Sequence, residues 1–321
     1  MRIVFLGTPE FAVSCLDELL KSKHEIVAVV TQPDKPNERG NKIEVSAVKQ
    51  YALSNRLPLF QLLKISRDGV VDLRALNPDL MVTAAYGQIL SQEVLDIPKY
   101  GIINVHASLL PKYRGASPIQ TAIINGEQVT GVTIMKTDIG LDTGDIVAQK
   151  EVEILEDDTA GTLTEKLSEV GAKLLIETIE KIENGTASFE KQDNLHASVT
   201  HKIKKEDSVI IWEKSTKEIV SLINGTNPSP IARTTLKGEI VKIYKAKAID
   251  FVMLPEDDAL SSGSVLSCSS AKRGLFIKTG NSALEILQMQ FPGGKVLDGK
   301  SLLNGRKISV GDKFDVILNH H

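Results

Sequence analysis

Asn104 and His106 stand two residues apart in the segment Gly101-Ile102-Ile103-Asn104-Val105-His106. On a strand that spacing puts both side chains on one face, so a neutral amide donor and a titratable imidazole converge. Such a pair can hold a developing oxyanion and move a proton. A satisfied histidine packed between sheet and helix would have the same local sequence. The loop that follows, Ala107-Ser108-Leu109-Leu110-Pro111-Lys112-Tyr113-Arg114-Gly115, is irregular, broken by Pro and Gly, and carries two cations. This composition weakens the packing reading.

A second cluster, Thr137-Asp138-Ile139-Gly140-Leu141-Asp142-Thr143-Gly144-Asp145, follows an apolar run at 131 to 136. Asp and Gly are favoured turn residues, so the segment also reads as an ordinary turn. Its chemistry depends on Asp142 reaching His106, where a carboxylate can orient the imidazole and help remove a proton. A third segment, Thr83-Ala84-Ala85-Tyr86-Gly87-Gln88-Ile89-Leu90, runs from a strand end into a loop of small residues. It suits either a flat ring laid on backbone or a tight strand-to-helix connection.

Other chemistries lack their parts. The first strand ends in Gly7-Thr8-Pro9-Glu10-Phe11-Ala12, without the three spaced glycines that let a pyrophosphate approach the backbone, which disfavours NAD. Neither Cys15 nor Cys268 has a Cys or His at ligand spacing, so no metal is expected. No serine or cysteine is placed as an acyl-carrying nucleophile.

The elements that must position these residues alternate in the first half of the chain. Strands are expected at 2 to 6, 25 to 31, 80 to 85, 101 to 106, 131 to 136 and 145 to 152, and helices at 10 to 22, 43 to 54, 117 to 125 and 160 to 183. The last helix has the clearest stripe, Leu163, Leu167, Val170 and Leu174, continued one position over by Leu175, Ile179 and Ile182, with Asn184-Gly185 as its stop. The pattern predicts an α/β fold with a Rossmann-like, mostly parallel sheet over 1–189. A polar stretch, 190–207, reads as a linker. Beyond it a helix at 214 to 224 and strands at 239 to 248, 263 to 267, 274 to 278 and 283 to 289 predict a small OB-like β-barrel over 208–321.

The 321 residues are 42% apolar and 25% charged, ordinary for a globular chain of two domains. Residues 1–200 hold 20 Lys+Arg against 28 Asp+Glu, a net of −8, whereas residues 201–321 hold 18 against 13, a net of +5. A basic module joined to an acidic catalytic one, or chance variation in surface charge, would both give this. The first apolar run stops at Gly7, too short for a signal segment, and no stretch approaches a membrane span, so a cytoplasmic protein with no membrane partner is expected.

Together these segments resemble the folate-dependent formyltransferases, and the similarity runs from Gly7 through the C-terminal part. The resemblance implies that Asn104, His106 and Asp142 are catalytic. It further implies that Tyr86, Gly87, Ile89 and Leu90, with Ser108, Leu109, Leu110 and Pro111 and with Ile139, Gly140, Leu141 and Thr143, hold 10-formyltetrahydrofolate. The member that acts on glycinamide ribonucleotide is similar in its catalytic core but single-domain, so the extra basic domain points to members that formylate the amino group of methionyl initiator tRNA; a member acting on a sugar-nucleotide amine, or a formyltetrahydrofolate hydrolase, would not explain that domain together with the loop at 33–42. The loop Pro33 to Lys42 looks like those members' insertion at the acceptor end. Lys35, Arg39, Lys42, Lys112, Arg114, Lys202, Lys204 and Lys205 are accordingly the expected RNA contacts, and a monomer is expected. Glu38 inside the insertion, Ala47 in place of a proline, and Ser229 in place of a bulky aromatic depart from the family pattern.

Overall fold

A computed structural model of the chain describes residues 1–36, 43–249, 254–270 and 272–317. These residues form two compact units. One contains Met1–Pro118, Val129–Glu153 and Thr164–Thr200; the other contains Ile119–Gln128, Ile154–Leu163 and His201–His321.

In the first unit, runs such as Ile3-Val4-Phe5-Leu6 and Leu80-Met81-Val82 are fully buried, as strands covered on both faces must be. Seven strands line up in the order Ile146–Glu153, Val129–Lys136, Ile102–His106, Leu80–Ala84, Arg2–Gly7, Glu25–Thr31, Leu59–Gln61. The five from Ile102–His106 to Leu59–Gln61 run parallel, and the other two add antiparallel at one edge. The six expected strands are all present; Leu59–Gln61 is too short and too weakly patterned to be read from sequence.

The helix expected at 43 to 54 begins later. Ile43–Glu44 pairs antiparallel with Lys35–Pro36, and the helix Ala47–Ser54 starts after Ser46, whose side chain accepts the Lys49 N–H. The long helix Ala160–Glu183 matches the expected span. From Thr164 onward it buries Leu167, Ala172, Leu175, Ile179 and Ile182, while Val170 and Leu174 are half-buried at the edge of the stripe. A Cβ on Gly171 would sit 3.0 Å from Val105 and 3.3 Å from Val132, so a glycine here lets the helix lie close against the strand that bears the Asn-x-His pair.

The stretch 190–207, expected as a linker, is built into the first unit as far as Thr200. Glu190 bridges Ile146, and Val199–Thr200 pairs in parallel with Arg114–Gly115. Those backbone groups find their partners in the sheet edge and the site loop, which a polar composition alone does not reveal.

The second unit holds an antiparallel sheet with strands Leu275–Lys278, Ala283–Gln290, Glu239–Ile249, Ala232–Leu236 and Phe314–Asp315 in that order, and Val296–Asp298 on Ala283–Gln290. Register shifts in Glu239–Ile249 at Ile243/Lys245 and Lys245/Ala246 mark bulges, which bend a strand and tighten its twist. The expected strand at 263 to 267 is reduced to single bridges, Ser264 with Lys313 and Val265 with Ile277. Trp212 is the largest fully buried side chain, its ring tilted 44° to that of Phe314 with centroids 5.5 Å apart and its indole N–H donated to Thr234 Oγ1 at 2.9 Å. The helix Thr216–Gly225 starts at a reciprocal cap between Ser215 and Glu218. Among the described residues, no helix is long and apolar enough to cross a membrane.

Candidate active site

Asn104 and His106 project from one face of the Ile102–His106 strand. The Thr83 hydroxyl, on the neighbouring strand, donates to Asn104 Oδ1 at 2.8 Å. The amide is thereby turned with its NH2 group away from Thr83, available as a donor.

His106 is 6% exposed, and its Nε2 lies 2.9 Å from the Tyr113 carbonyl oxygen. A carbonyl only accepts, so Nε2 carries the hydrogen and Nδ1 is the ring nitrogen left for chemistry. Nδ1 stands 3.6 Å from Asp142 Oδ2. That same oxygen accepts the Gly115 N–H at 2.8 Å. The fold therefore brings together the three residues expected to carry chemistry. Tyr113 (φ 60°) and Asp142 (φ 52°) both lie in the left-handed region, where a residue with a Cβ persists only if its surroundings hold it.

The surroundings are specific. Thr133 Oγ1 donates to the Ser108 carbonyl at 2.7 Å and accepts the Leu110 N–H at 3.1 Å, while Gln149 Nε2 donates to the Leu110 carbonyl at 2.8 Å. Ser108 is fully buried and its hydroxyl donates to the Lys112 carbonyl at 2.7 Å. The Ser-Leu-Leu-Pro loop is thus pinned by its own backbone. Ser108 and Leu110 face inward, and Leu109 and Pro111 are half-buried.

On the Asp142 side, Asp138 accepts the Gly140 N–H at 3.0 Å and the Thr143 hydroxyl at 2.8 Å, leaving Ile139 and Leu141 exposed. Beside this loop is a cavity of about 500 Å³ lined by Leu95, Tyr100, Ile102, Lys136, Thr137 and Ile139 among others. Thr137 Oγ1 is buried with no hydrogen-bond partner.

The other expected residues differ in exposure. Tyr86, expected against the cofactor, is 4% exposed in the core beside Val4, Leu6 and Leu90, and burial pushes its hydroxyl up to about 12. Leu90 is buried with it, while Gly87 and Ile89 are exposed. Arg114, expected to meet RNA, is 7% exposed, and its guanidinium donates to Gln192 Oε1 and Asn194 Oδ1. A charged group so buried is held by acceptors, and these come from a segment almost eighty residues on that sequence spacing does not disclose. Lys112, Lys202, Lys204 and Lys205 are exposed. Lys35 lies in the short pair Lys35–Pro36 with Ile43–Glu44, and Arg39 and Lys42 lie outside the described residues. Thr133, Gln149 and Gln192 were not expected in the site, and Thr83 was read only as the start of a strand-to-loop segment, not as the partner of Asn104; isolated polar residues on strands and loops carry no spacing signal.

Residues 1–179 match the family model described as formyl transferase, and residues 202–307 match that described as formyl transferase, C-terminal domain. The methionyl-tRNA formyltransferase of Alkaliphilus metalliredigens is 46% identical over 97% of this chain and 97% of its own. That of Agathobacter rectalis is 44% identical over 98% of this chain and 99% of its own. In three dimensions the chain is similar to HypX from Aquifex aeolicus, solved in complex with tetrahydrofolic acid, with a TM-score of 0.65 and 19% identity over 97% of this chain and 48% of that one. The two matched models, which divide the chain between them, and the end-to-end identity to curated relatives place this chain in the formyl transferase family, among the methionyl-tRNA formyltransferases.

Proposed function

We propose that this chain transfers the formyl group of 10-formyltetrahydrofolate to the α-amino group of methionine carried by initiator tRNA. The observation that carries the reading is the convergence of Asn104, His106 and Asp142 in a chain with this family membership.

Acyl transfer to an amine needs donors where negative charge develops, an acceptor for the amine proton, and two substrates held in register. The Asn104 NH2 group and His106 Nδ1 are the donors and Asp142 the acceptor in this reading. With hydrogen on both ring nitrogens, His106 donates one to Tyr113 and presents the other on the Asp142 side. Asp142 orients the imidazole and takes up the amine proton through water; as the bond from the formyl carbon to the folate nitrogen breaks, that proton would be returned to the departing nitrogen, which leaves Asp142 as it began. The folate supplies the formyl group when bound. The residues present are compatible with a flat heteroaromatic ring: the cavity beside Ile139 sets apolar walls from Leu95, Tyr100, Ile102 and Ile139 among polar groups of Gln92, Lys136 and Asp138, with a buried hydroxyl, Thr137 Oγ1, that lacks a partner. No step requires a metal.

The first domain, 1–189, is the catalytic one in this proposal, and 208–321 is the tRNA-binding one, reached through the basic run Lys202-Ile203-Lys204-Lys205. The protein acts as a monomer in the cytoplasm.

The test is a formyl-transfer assay with 10-formyltetrahydrofolate, offering initiator and elongator methionyl-tRNA and free amines including glycinamide ribonucleotide. Formylation confined to charged initiator tRNA is expected. Transfer only to a small amine, or hydrolysis alone, would keep the catalytic site and overturn the tRNA reading.

A further inference from the structure

Asp142 is gripped twice. Its carboxylate accepts the Gly115 N–H at 2.8 Å, and its carbonyl accepts Gln192 Nε2 at 2.8 Å. The same Nε2 donates to the Gly144 carbonyl at 2.7 Å, so both hydrogens of the amide are spent on two carbonyls flanking Thr143. Gln192 Oε1 in turn accepts from Arg114 Nε at 3.0 Å and Nη2 at 2.8 Å. Arg114 is the residue before Gly115, and its backbone N–H donates to the Ser198 carbonyl at 2.8 Å. The circuit closes: segment 114–115 holds the carboxylate of Asp142 directly and, through Gln192, holds its carbonyl.

Only an amide can fill this place. One face of the gap is lined by carbonyl oxygens and needs a donor; the other presents a guanidinium and needs an acceptor. A carboxylate serves only the second face, and Lys or Arg only the first.

The need for such a brace is local. Asp142 holds a left-handed φ beside the exposed Gly140 and Leu141; Asp138 ties the loop at Gly140 and Thr143, and Gln192 holds the carbonyl of Asp142 itself. We propose that Gln192 is a positioning residue for the transfer reaction, setting Asp142 against His106, and that Arg114 acts through Gln192 and not on RNA. This rests on the reading of Asp142 as part of the catalytic set.

The experiment is a kinetic double-mutant cycle on the full chain with Gln192→Glu and Asp142→Ala, with thermal unfolding of each variant. Gln192→Glu keeps the length and the Arg114 partner while turning an oxygen toward two carbonyls. It is expected to lower kcat on the order of ten- to a hundredfold, as displacement of a reacting group does, with both KM values unchanged. In the Asp142→Ala background it is expected to add almost nothing. Gln192→Met, of similar length and without a donor, gives the same comparison if Gln192→Glu does not fold. Parental kcat in both Gln192 variants, or an undiminished loss in the Asp142→Ala background, would overturn the inference. Parental turnover by Asp142→Ala alone would instead overturn the catalytic reading beneath it, so the two failures are told apart.

Discussion

His106 Nδ1 and Asp142 Oδ2 stand 3.6 Å apart because one short segment holds both: the Tyr113 carbonyl takes the Nε2 hydrogen, and the Gly115 N–H binds the carboxylate. The separation is a little longer than a hydrogen bond, and neither group can turn away without giving up its anchor. This presets the pair before either substrate is present.

Loss of either donor on the strand therefore has a direct kinetic cost. Asn104→Ala and His106→Ala are each expected to lower kcat by about a hundredfold or more, as removal of an oxyanion donor does. Near-normal turnover by either variant in a steady-state assay would sink the assignment.

Thr83 sets which end of the Asn104 amide faces the site. Thr83→Val keeps the shape and removes the hydroxyl, so the amide loses its preferred orientation and kcat is expected to fall about tenfold, the value of roughly one hydrogen bond. Substitution of Thr83 by Ser, which restores the donor, is expected to recover most of it. Equal rates for the Val and Ser variants would contradict this role.

Tyr86 carries a buried hydroxyl with no partner. Tyr86→Phe is expected to leave stability at pH 7 unchanged or to raise it by about 1 kcal/mol, since an unsatisfied polar atom is removed. Burial pushes the hydroxyl up to about 12, above its ordinary value near 10. With the folded value the higher, the associated stability is complete below about pH 10 and is lost as pH rises toward about 12. Urea unfolding across that window is expected to show the parent losing stability relative to the Phe variant; parallel pH curves would contradict it.

Gly144 ends the loop that carries Asp142, and a Cβ there would lie 1.8 Å from the Lys136 carbonyl oxygen. Gly144→Ala must push the loop off the Val129–Lys136 strand, costing about 1–3 kcal/mol by overpacking and disturbing Asp142 as well. Thermal unfolding and kcat are expected to fall together. Unchanged values for both would mean that the loop has room to shift.

Lys202, Lys204 and Lys205 are exposed, whereas Arg114 is buried in hydrogen bonds. Replacing the three lysines by glutamine is expected to weaken tRNA binding and to reduce the slope of log affinity against log salt by about 0.7–0.9 for each phosphate no longer neutralised. Arg114→Gln is expected to lower kcat without changing that slope. Filter-binding titrations between low and physiological salt separate the two, and a salt slope altered by Arg114→Gln would return that residue to the RNA surface.

The parallel sheet was legible because strands buried on both faces need unbroken apolar runs such as Ile3 to Leu6, and the long helix because its buried stripe repeats at helical spacing. Asn104 and His106 were legible as a pair because a strand places alternate residues on one face, and Asp142 followed from the family resemblance carried by its local motif. Sequence alone did not determine which ring nitrogen of His106 is occupied, which way Asn104 turns, or that Arg114 faces inward. Those depend on Thr83, Tyr113 and Gln192, groups up to 78 residues away along the chain from the side chain they hold. Hydrogen-bond orientation is settled by whatever donors and acceptors the fold brings within about 3 Å, and that proximity has no counterpart in residue spacing. The burial of the Tyr86 ring was likewise not legible: a loop tyrosine suits a site wall or a core, and only packing decides where an aromatic ring is best buried.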